Sequence, residues 1–360
     1  MIPNANYHLP GILHAELRRL FESGWEFVGL TSELAQDKDF VTVEYEGASI
    51  VVQNFRGELR AFQNVCSHRF NKIQWEDKGR RPLLCRYHSW SYDSQGAPVI
   101  PRKNEYQIDR PDDLCLTRYR LDTCGQFVFV NRSGGAPPLR DYLAGFWDVL
   151  EEISRHLGRQ IHYAAVPHKA NWKILVENVV DNYHCPILHR DSFVSFGFCR
   201  SPVEDTVVDA GHSSWHVPRT DVDREALRKR ALSHLDGRGF AHDSFYHIYI
   251  FPNLFIASTE GMNFYVGHAL PVAAEESVLR ARYFEPNLEL KPSHRARQDM
   301  LNDQTSIYGL NVVEEDRVVL ENVQRGVRLS DKPGIVGAGE PRIRAFMAHY
   351  EERMARADGG

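Results

Sequence analysis

Two groups of residues in this 360-residue chain have types and spacings that suit metal chemistry. Cys66-Ser67-His68 is followed, after the intervening residues 69–84, by Cys85-Arg86-Tyr87-His88, so two short Cys/His clamps can be presented by neighbouring loops. Two thiols and two imidazoles can surround one tetrahedral zinc, or they can divide between the two irons of an iron–sulfur cluster. One thiol and one imidazole from each loop suits the second arrangement, with both Cys on one iron and both His on the other.

The second group lies in ENVVDNYHCPILH. Glu177, Asp181 and His184 stand at i, i+4 and i+7, one stripe of an expected helix. His189 follows His184 by five residues, roughly 140° round an ideal helix, so an unbroken helix would point the two imidazoles apart. Pro186 between them breaks the helix and lets the chain bring His189 back. Two imidazoles and one carboxylate with open positions form the facial triad of non-haem Fe(II) oxygenases, which leaves room for substrate and O2. Asp181, three residues before His184, is one candidate acid, and Glu314-Glu315-Asp316 lie far downstream.

The elements that must position these groups differ along the chain. Residues 11–22 form an amphipathic helix, with Ile12, Leu17, Leu20 and Phe21 on one face. Between 38 and 131 the texture changes to short Val-, Phe- and Tyr-rich runs broken by turn signals such as Glu46-Gly47 and Arg56-Gly57, the pattern of a small antiparallel β-domain. SGGAPP at 133–138 reads as a connection. Helical periodicity then covers LRDYLAGFWDVLEEISRHL and NWKILVENVVDNYH, consecutive strands are expected in SFYHIYIFPNLFIAST, MNFYVGHALPV and SVLRARYFEP, and residues 291–328 and 341–356 are helical. The expected fold is α+β, divided into an N-terminal helical segment (1–37) packed on the larger domain, a β-domain (38–135) and that larger α+β domain (136–360) with a central antiparallel sheet.

Composition narrows the class. With 42% apolar and 25% charged residues the chain is globular rather than disordered or fibrous. A net charge of -5, from 43 basic and 48 acidic residues, gives no footprint for nucleic acid or anionic lipid. No run approaches the roughly 18 apolar residues of a membrane span, and the start lacks the pattern of a secretory signal, so a cytoplasmic location is expected. Six cysteines are too few for a disulfide framework, and Cys115, Cys124, Cys185 and Cys199, which lack metal-ligand spacing, read as structural thiols.

The Cys66–His88 segment, with its continuation Trp90-Ser91-Tyr92, resembles the Rieske [2Fe-2S] domain. Two positions depart from the common pattern, Phe70 and Ser89, where many members carry glycine. The D-x2-H-x4-H pattern of Asp181, His184 and His189, about 100 residues later, resembles the catalytic α subunit of Rieske non-haem iron oxygenases over nearly the whole chain. The resemblance implies a helix-grip catalytic domain, Cys66 and Cys85 on one cluster iron, His68 and His88 on the other, and a mononuclear Fe(II) held by His184, His189 and a downstream carboxylate. The run following Glu314-Glu315-Asp316 resembles the segment carrying that carboxylate, which makes Asp316 the expected third ligand and Glu315 its rival. It further implies a homotrimer, or a multiple of one, in which electrons cross from one subunit's cluster to its neighbour's iron through Asp181, bridging His88 and His184.

Neither a dinucleotide fingerprint nor a second ferredoxin-type cysteine set is present, so NAD(P)H oxidation belongs to a partner reductase, with or without a ferredoxin. The expected activity is O2-dependent mono- or cis-dihydroxylation, or oxidative demethylation, of a small aromatic or alicyclic molecule. Oxidation of a quaternary ammonium compound, of the choline or carnitine kind, is the alternative enzyme. An electron carrier with a non-catalytic ligand-binding domain, or a zinc-stabilised binding protein, would be a different class. Phe193, Phe196, Phe198, Phe245, Tyr249, Phe251 and Phe264 are the aromatic candidates for a pocket wall.

Overall fold

The structure is a computed structural model that describes residues 3–198, 205–218 and 225–355. Its chain divides into two compact units, Leu17–Tyr142 and the combination of Met1–Glu16 with Leu143–Gly360. Among the described residues no helix is long and apolar enough to cross a membrane.

The first unit is built from β1 (Glu26–Leu30), β2 (Asp39–Tyr45), β3 (Ala48–Phe55), β4 (Glu58–Gln63), β5 (Lys78–Arg80), β6 (Ser91–Tyr92), β7 (Pro98–Val99), β8 (Arg118–Cys124) and β9 (Phe127–Asn131). Seven of these form one antiparallel sheet in the order β1-β9-β8-β4-β3-β2-β5, and β6 and β7 pair separately. Phe55 and Glu58 pair across the two-residue turn Arg56-Gly57, whose φ values of 54° and 97° give the primed geometry that matches strand twist.

Both domain boundaries differ from those expected. Residues 17–37 belong with the β-unit because β1 pairs with β9, Glu26 opposite Val130. The glycine- and proline-rich segment after β9 also packs on this unit rather than spanning a gap. The Trp25 indole donates to the Pro137 carbonyl at 2.8 Å, and Arg120 donates to the carbonyls of Gly134 and Ala136. The unit therefore ends at Tyr142.

The second unit contains a seven-stranded antiparallel sheet of β10 (Leu157–His168), β11 (Asp205–Asp209), β12 (His212–Pro218), β13 (Ser244–Ile250), β14 (Leu254–Thr259), β15 (Asn263–Ala273) and β16 (Glu276–Pro286). β11 to β16 run as a meander, and β10 crosses to the far edge beside β16. Among the described residues the helices of this unit are α1 (Pro10–Glu16), α3 (Trp147–His156), α4 (Trp172–Val180), α5 (Cys185–Leu188), α6 (Glu225–Leu232), the 38-residue α7 (Pro292–Leu329) and α8 (Pro341–Ala355), while α2 (Leu139–Leu143) runs over the boundary at Tyr142. The α+β class and the central antiparallel sheet are as expected, whereas β10, β11 and β12 were not anticipated.

The N-terminal segment is pinned to α4 by a fully buried ion pair. Lys173 Nζ lies 2.6 Å from Glu16 Oε1, and the Trp172 indole and the Tyr350 hydroxyl also donate to the Glu16 carboxylate. A buried pair is tolerable only when its remaining hydrogen-bonding capacity is filled, which the two aromatic donors do here. Glu177, one turn further along α4, accepts a 2.6 Å bond from the Tyr7 hydroxyl, and burial pushes its carboxyl up to about 7. It serves this anchor rather than a stripe shared with Asp181 and His184.

Candidate functional site

The two Cys/His loops are near copies of one another. Phe70 N–H donates to Cys66 O and Cys66 N–H to Asn71 O, and likewise Ser89 N–H to Cys85 O and Cys85 N–H to Trp90 O. Both thiols are buried in the core of the β-unit with Phe40, Phe62, Ile73 and Trp90, while His68 and His88 are half-buried at its rim, ring centroids 4.6 Å apart. Cys66 Sγ accepts from the Tyr92 hydroxyl at 3.1 Å and Cys85 Sγ from the Asn71 amide at 3.4 Å. Burial raises the Cys85 thiol, but donation from Tyr87 N–H and Asn71 outweighs it and holds that thiol below its usual range.

Phe70 and Ser89, the two departures from the family pattern, adopt φ values of 59° and 60°, a region that costs an L-residue about 1–2 kcal/mol. Ser89→Gly should relieve that strain for a smaller loss of chain entropy, raising stability by about 0.5–1 kcal/mol and the midpoint of thermal cluster loss by a few degrees. Following visible absorbance on heating checks this; an unchanged or lower midpoint contradicts it.

Zinc and the two-iron cluster make different geometric demands on these four residues. A single tetrahedral zinc would bring all four donor atoms within about 3.3–3.8 Å of one another. Among the described residues, only His184, His189 and Asp316 form a set of three or more metal-ligating side chains with all donor atoms within 4.8 Å. The two thiols lie together in the core and the two imidazoles together at its rim, the division that the two irons of one cluster would require. The buried His68 Nδ1 has no protein partner, as a nitrogen awaiting a metal would.

In the second unit α4 ends at Val180, and Asp181 is its C-cap with an extended ψ of 130°. The helical stripe expected for Glu177, Asp181 and His184 is thus broken well before Pro186, which instead sits in the first turn of the short α5, where proline is tolerated. That turn carries His184 and His189 together, their Nε2 atoms 3.3 Å apart. Asp316 comes from the middle of α7, its Oδ1 3.1 Å from His189 Nε2 and 3.7 Å from His184 Nε2. Right-angled donors on one ion at bonds of about 2.1 Å would sit about 3 Å apart, so the three fit a facial metal site. Asp316 Oδ1 is buried and accepts no hydrogen bond, which is the state of a carboxylate oxygen reserved for a cation.

Each imidazole is held from its outer nitrogen by a carboxylate. Asp181 Oδ2 lies 3.0 Å from His184 Nδ1 while its Oδ1 accepts from Tyr183 N–H, and Glu315 Oε2 lies 2.6 Å from His189 Nδ1 and accepts from Ser192 Oγ. Such partners fix the tautomer that leaves Nε2 free for a metal. Glu315, expected only as a rival to Asp316, takes this supporting place because neighbours on a helix point about 100° apart. Burial lowers the His189 pKa, but Asp316 and Glu315 together outweigh it and raise it.

Asp181, His184, His189 and Asp316 form one wall of a cavity of about 300 Å³. Leu301, Thr305, Tyr308, Val312, Asp316 and Leu320 line it at helical spacing along α7, and Gly309 lets that helix approach Tyr283 so closely that a Cβ would meet its ring at 2.3 Å. The opposite wall is one transverse row of the sheet, Trp215, His247, Ala257, Tyr265 and Tyr283, each opposite the next across β12 to β16. Of the aromatic candidates, Phe193, Phe198 and Phe245 line the cavity. Tyr249 and Phe251 pack instead toward Phe346 of α8, and Phe264 points to the opposite face of β15 from Tyr265. The Phe196 side chain and Cys199 lie outside the described residues. Cys185 also lines the cavity, its Sγ 3.8 Å from His184 Nε2, while Cys124 is buried and Cys115 exposed.

A Cys/His loop pair built for a two-metal cluster and a separate facial triad on an apolar cavity define a Rieske-type oxygenase architecture. The chain matches the Rieske [2Fe-2S] domain family over residues 24–109 and the ring hydroxylating alpha subunit (catalytic domain) family over residues 150–356. It belongs to the ring hydroxylating alpha subunits, the Rieske non-haem iron oxygenases, with a [2Fe-2S] domain and a catalytic domain that binds mononuclear iron. It is 30% identical over 197 residues to the glycine betaine monooxygenase oxygenase subunit of Chromohalobacter salexigens, a match covering 53% of this chain and 43% of that protein. With the carnitine monooxygenase oxygenase subunit of Acinetobacter baumannii it shares 25% identity over 336 residues, 91% of this chain and 85% of the relative. The structure of naphthalene 1,2-dioxygenase from Rhodococcus sp. bound to indole superposes with a TM-score of 0.75 at 18% identity, covering 99% of this chain and 95% of that one.

Proposed function

We propose that this chain is a terminal oxygenase component in which Cys66, His68, Cys85 and His88 hold a Rieske cluster, and His184, His189 and Asp316 hold one Fe(II). The observation that carries this reading is the convergence of His184, His189 and Asp316 donors on the wall of a cavity otherwise lined mainly by apolar and aromatic groups. When loaded, the two centres supply single electrons and a site for O2, as the family's chemistry requires. The chain's own residues set the geometry: Asp181 and Glu315 orient the two imidazoles, the Cys66 and Cys85 loops bury the sulfur side of the cluster site, and the sheet row with Phe193, Phe198 and Phe245 excludes water from the substrate.

The substrate is a small aromatic or alicyclic molecule, and the reaction mono- or cis-dihydroxylation or oxidative demethylation. NAD(P)H enters through a partner reductase, with or without a ferredoxin. The assembly is a homotrimer or its multiple, in which Asp181 of one subunit bridges to His88 of its neighbour. Oxidation of a quaternary ammonium compound is the second reading, favoured by the activities of the betaine and carnitine relatives and by the aromatic character of the cavity.

Iron and acid-labile sulfide on anaerobically purified protein test the cofactor set: about three irons per two sulfides in each chain, with a Rieske spectrum, is expected. Two irons per two sulfides after Fe(II) reconstitution would leave an electron carrier, and absence of sulfide would overturn the reading. Substrate-dependent O2 uptake with a surrogate reductase tests the activity, with toluene-like and trimethylammonium compounds separating the two substrate classes. Ala257 is the smallest side chain in the sheet row, so Ala257→Phe should fill the cavity, raising KM at least about tenfold while both metal centres stay loaded. Unchanged KM would show that substrate lies elsewhere.

A further inference from the structure

At the β12–β13 end of the cavity a cation is buried without a counter-charge. Arg342, in the first turn of α8, is 2% exposed. Its Nε donates to Ser213 Oγ at 2.9 Å, its Nη2 lies 3.1 Å from His247 Nδ1 and 3.5 Å from the Ser213 carbonyl, and its guanidinium carbon sits 5.0 Å over the Trp215 ring. Among the described residues no carboxylate pairs with it, and its buried Nη1 has no hydrogen-bond partner. Burial, partly offset by Tyr249 and Tyr246, pulls the group down to about 9, so it remains charged at neutral pH. α8 has no acid in its first turn, so the positive end of that helix adds to the field rather than cancelling it. An isolated buried charge is costly, and such charges are ordinarily paired.

The imidazole in front of it settles which atom meets the cavity. A guanidinium can only donate, so His247 Nδ1 must accept, and the neutral ring carries its proton on Nε2. Burial and the neighbouring cation both keep that ring from protonating. His247 and its cross-strand neighbour Trp215 both line the cavity, and among the described residues His247 Nε2 has no hydrogen-bond partner. The arrangement is a donor relay, Arg342 to His247 Nδ1 and His247 Nε2–H to whatever occupies that end.

We propose that His247, backed by Arg342, anchors an anionic oxygen of the substrate, so that the molecule oxidised at the His184/His189/Asp316 centre carries a carboxylate or equivalent oxyanion. This deepens the oxygenase reading and rests on it for the word substrate, but binding can be measured without turnover. Both residues act by positioning: they hold the end of the substrate remote from the chemistry.

Isothermal titration of the metal-loaded full chain, anaerobic and without reductant, compares benzoate with nitrobenzene, its uncharged near-isostere. Benzoate should bind at least about tenfold more tightly. His247→Phe, which keeps a ring of similar size in β13, and Arg342→Met should each bring benzoate to the affinity of nitrobenzene and leave nitrobenzene unchanged. Should Arg342→Met not fold, His247→Phe alone decides the matter. Equal affinities in the parent, no benzoate binding, or a benzoate preference that survives His247→Phe, as direct binding to iron would give, each overturns the anchor. Iron content and O2 uptake report separately on the oxygenase reading, so a chain that binds benzoate through His247 yet consumes no O2 would retain the anchor and lose the function.

Discussion

His189→Ala should leave a protein that keeps its Rieske spectrum and two sulfides but falls from about three irons to about two, with oxygenation below detection. The reason is geometric. His189 is 1% exposed, its Nε2 lies within 3.3 Å of both other donors, and Glu315 and Ser192 fix its ring. Alanine removes one of three protein ligands, and the remaining pair of His184 and Asp316, 3.7 Å apart, lacks the third corner of the face. Loss of an outer support to a metal ligand typically costs 10–100-fold, and loss of the ligand itself should exceed that. Metal analysis and sulfide determination on the same sample read the result, and a full iron complement in the variant would remove His189 from the ligand set. Because the cluster residues lie in a different unit, the visible spectrum counts loaded chains independently of the iron site, and far-UV circular dichroism reports whether the substituted unit is folded.

Asp181→Asn should have a comparably large effect by another route: both metal centres stay loaded while steady-state turnover falls about 100-fold or more. The native carboxylate accepts two hydrogen bonds on different oxygens, one from Tyr183 N–H and one from His184 Nδ1–H. An amide offers one acceptor oxygen and presents an N–H to the other donor, so one of the two bonds must be lost. The charge that would link His184 to a neighbouring subunit's His88 disappears with it. Single-turnover oxidation by chemically pre-reduced protein separates the causes. Product formed at the parental rate in that assay locates the defect in electron delivery, whereas an equally slow single turnover would assign Asp181 to the iron site alone, and a bleached cluster would contradict both roles.

What could be read before folding was chemistry carried by short spacing. The two Cys/His clamps and the His184/His189 pair each lie within a few residues, where local turns settle the geometry, and Asp316 was reached by likeness of its segment. The helix through Asp181 was misjudged because the Asp181 side chain hydrogen-bonds to Tyr183 N–H, a competing local contact that ends α4 early. Glu315 was seen as a rival ligand, not a support, because the choice between adjacent carboxylates depends on the rotation of α7. The row from Trp215 to Tyr283 had no signal in the sequence at all: it exists only through the register of five strands, and a slip of one residue would present the opposite face. The edge strand β10 was hidden by its own composition, since Arg159, Gln160 and His162 interrupt its apolar residues.

The buried contact between Glu16 and Lys173 joins residues 157 apart in sequence, across the whole β-rich unit. On a ribosome adding roughly 5–20 residues per second, Glu16 emerges roughly 8–30 s before its partner is made. In that interval residues 17–142, which carry Cys66, His68, Cys85 and His88, are completed as a contiguous stretch, while His184, His189 and Asp316 are still to be made. Biogenesis is thereby ordered by the gene itself: the electron-carrying centre can be assembled on a nascent chain, and the oxygen-handling centre comes into being only afterwards.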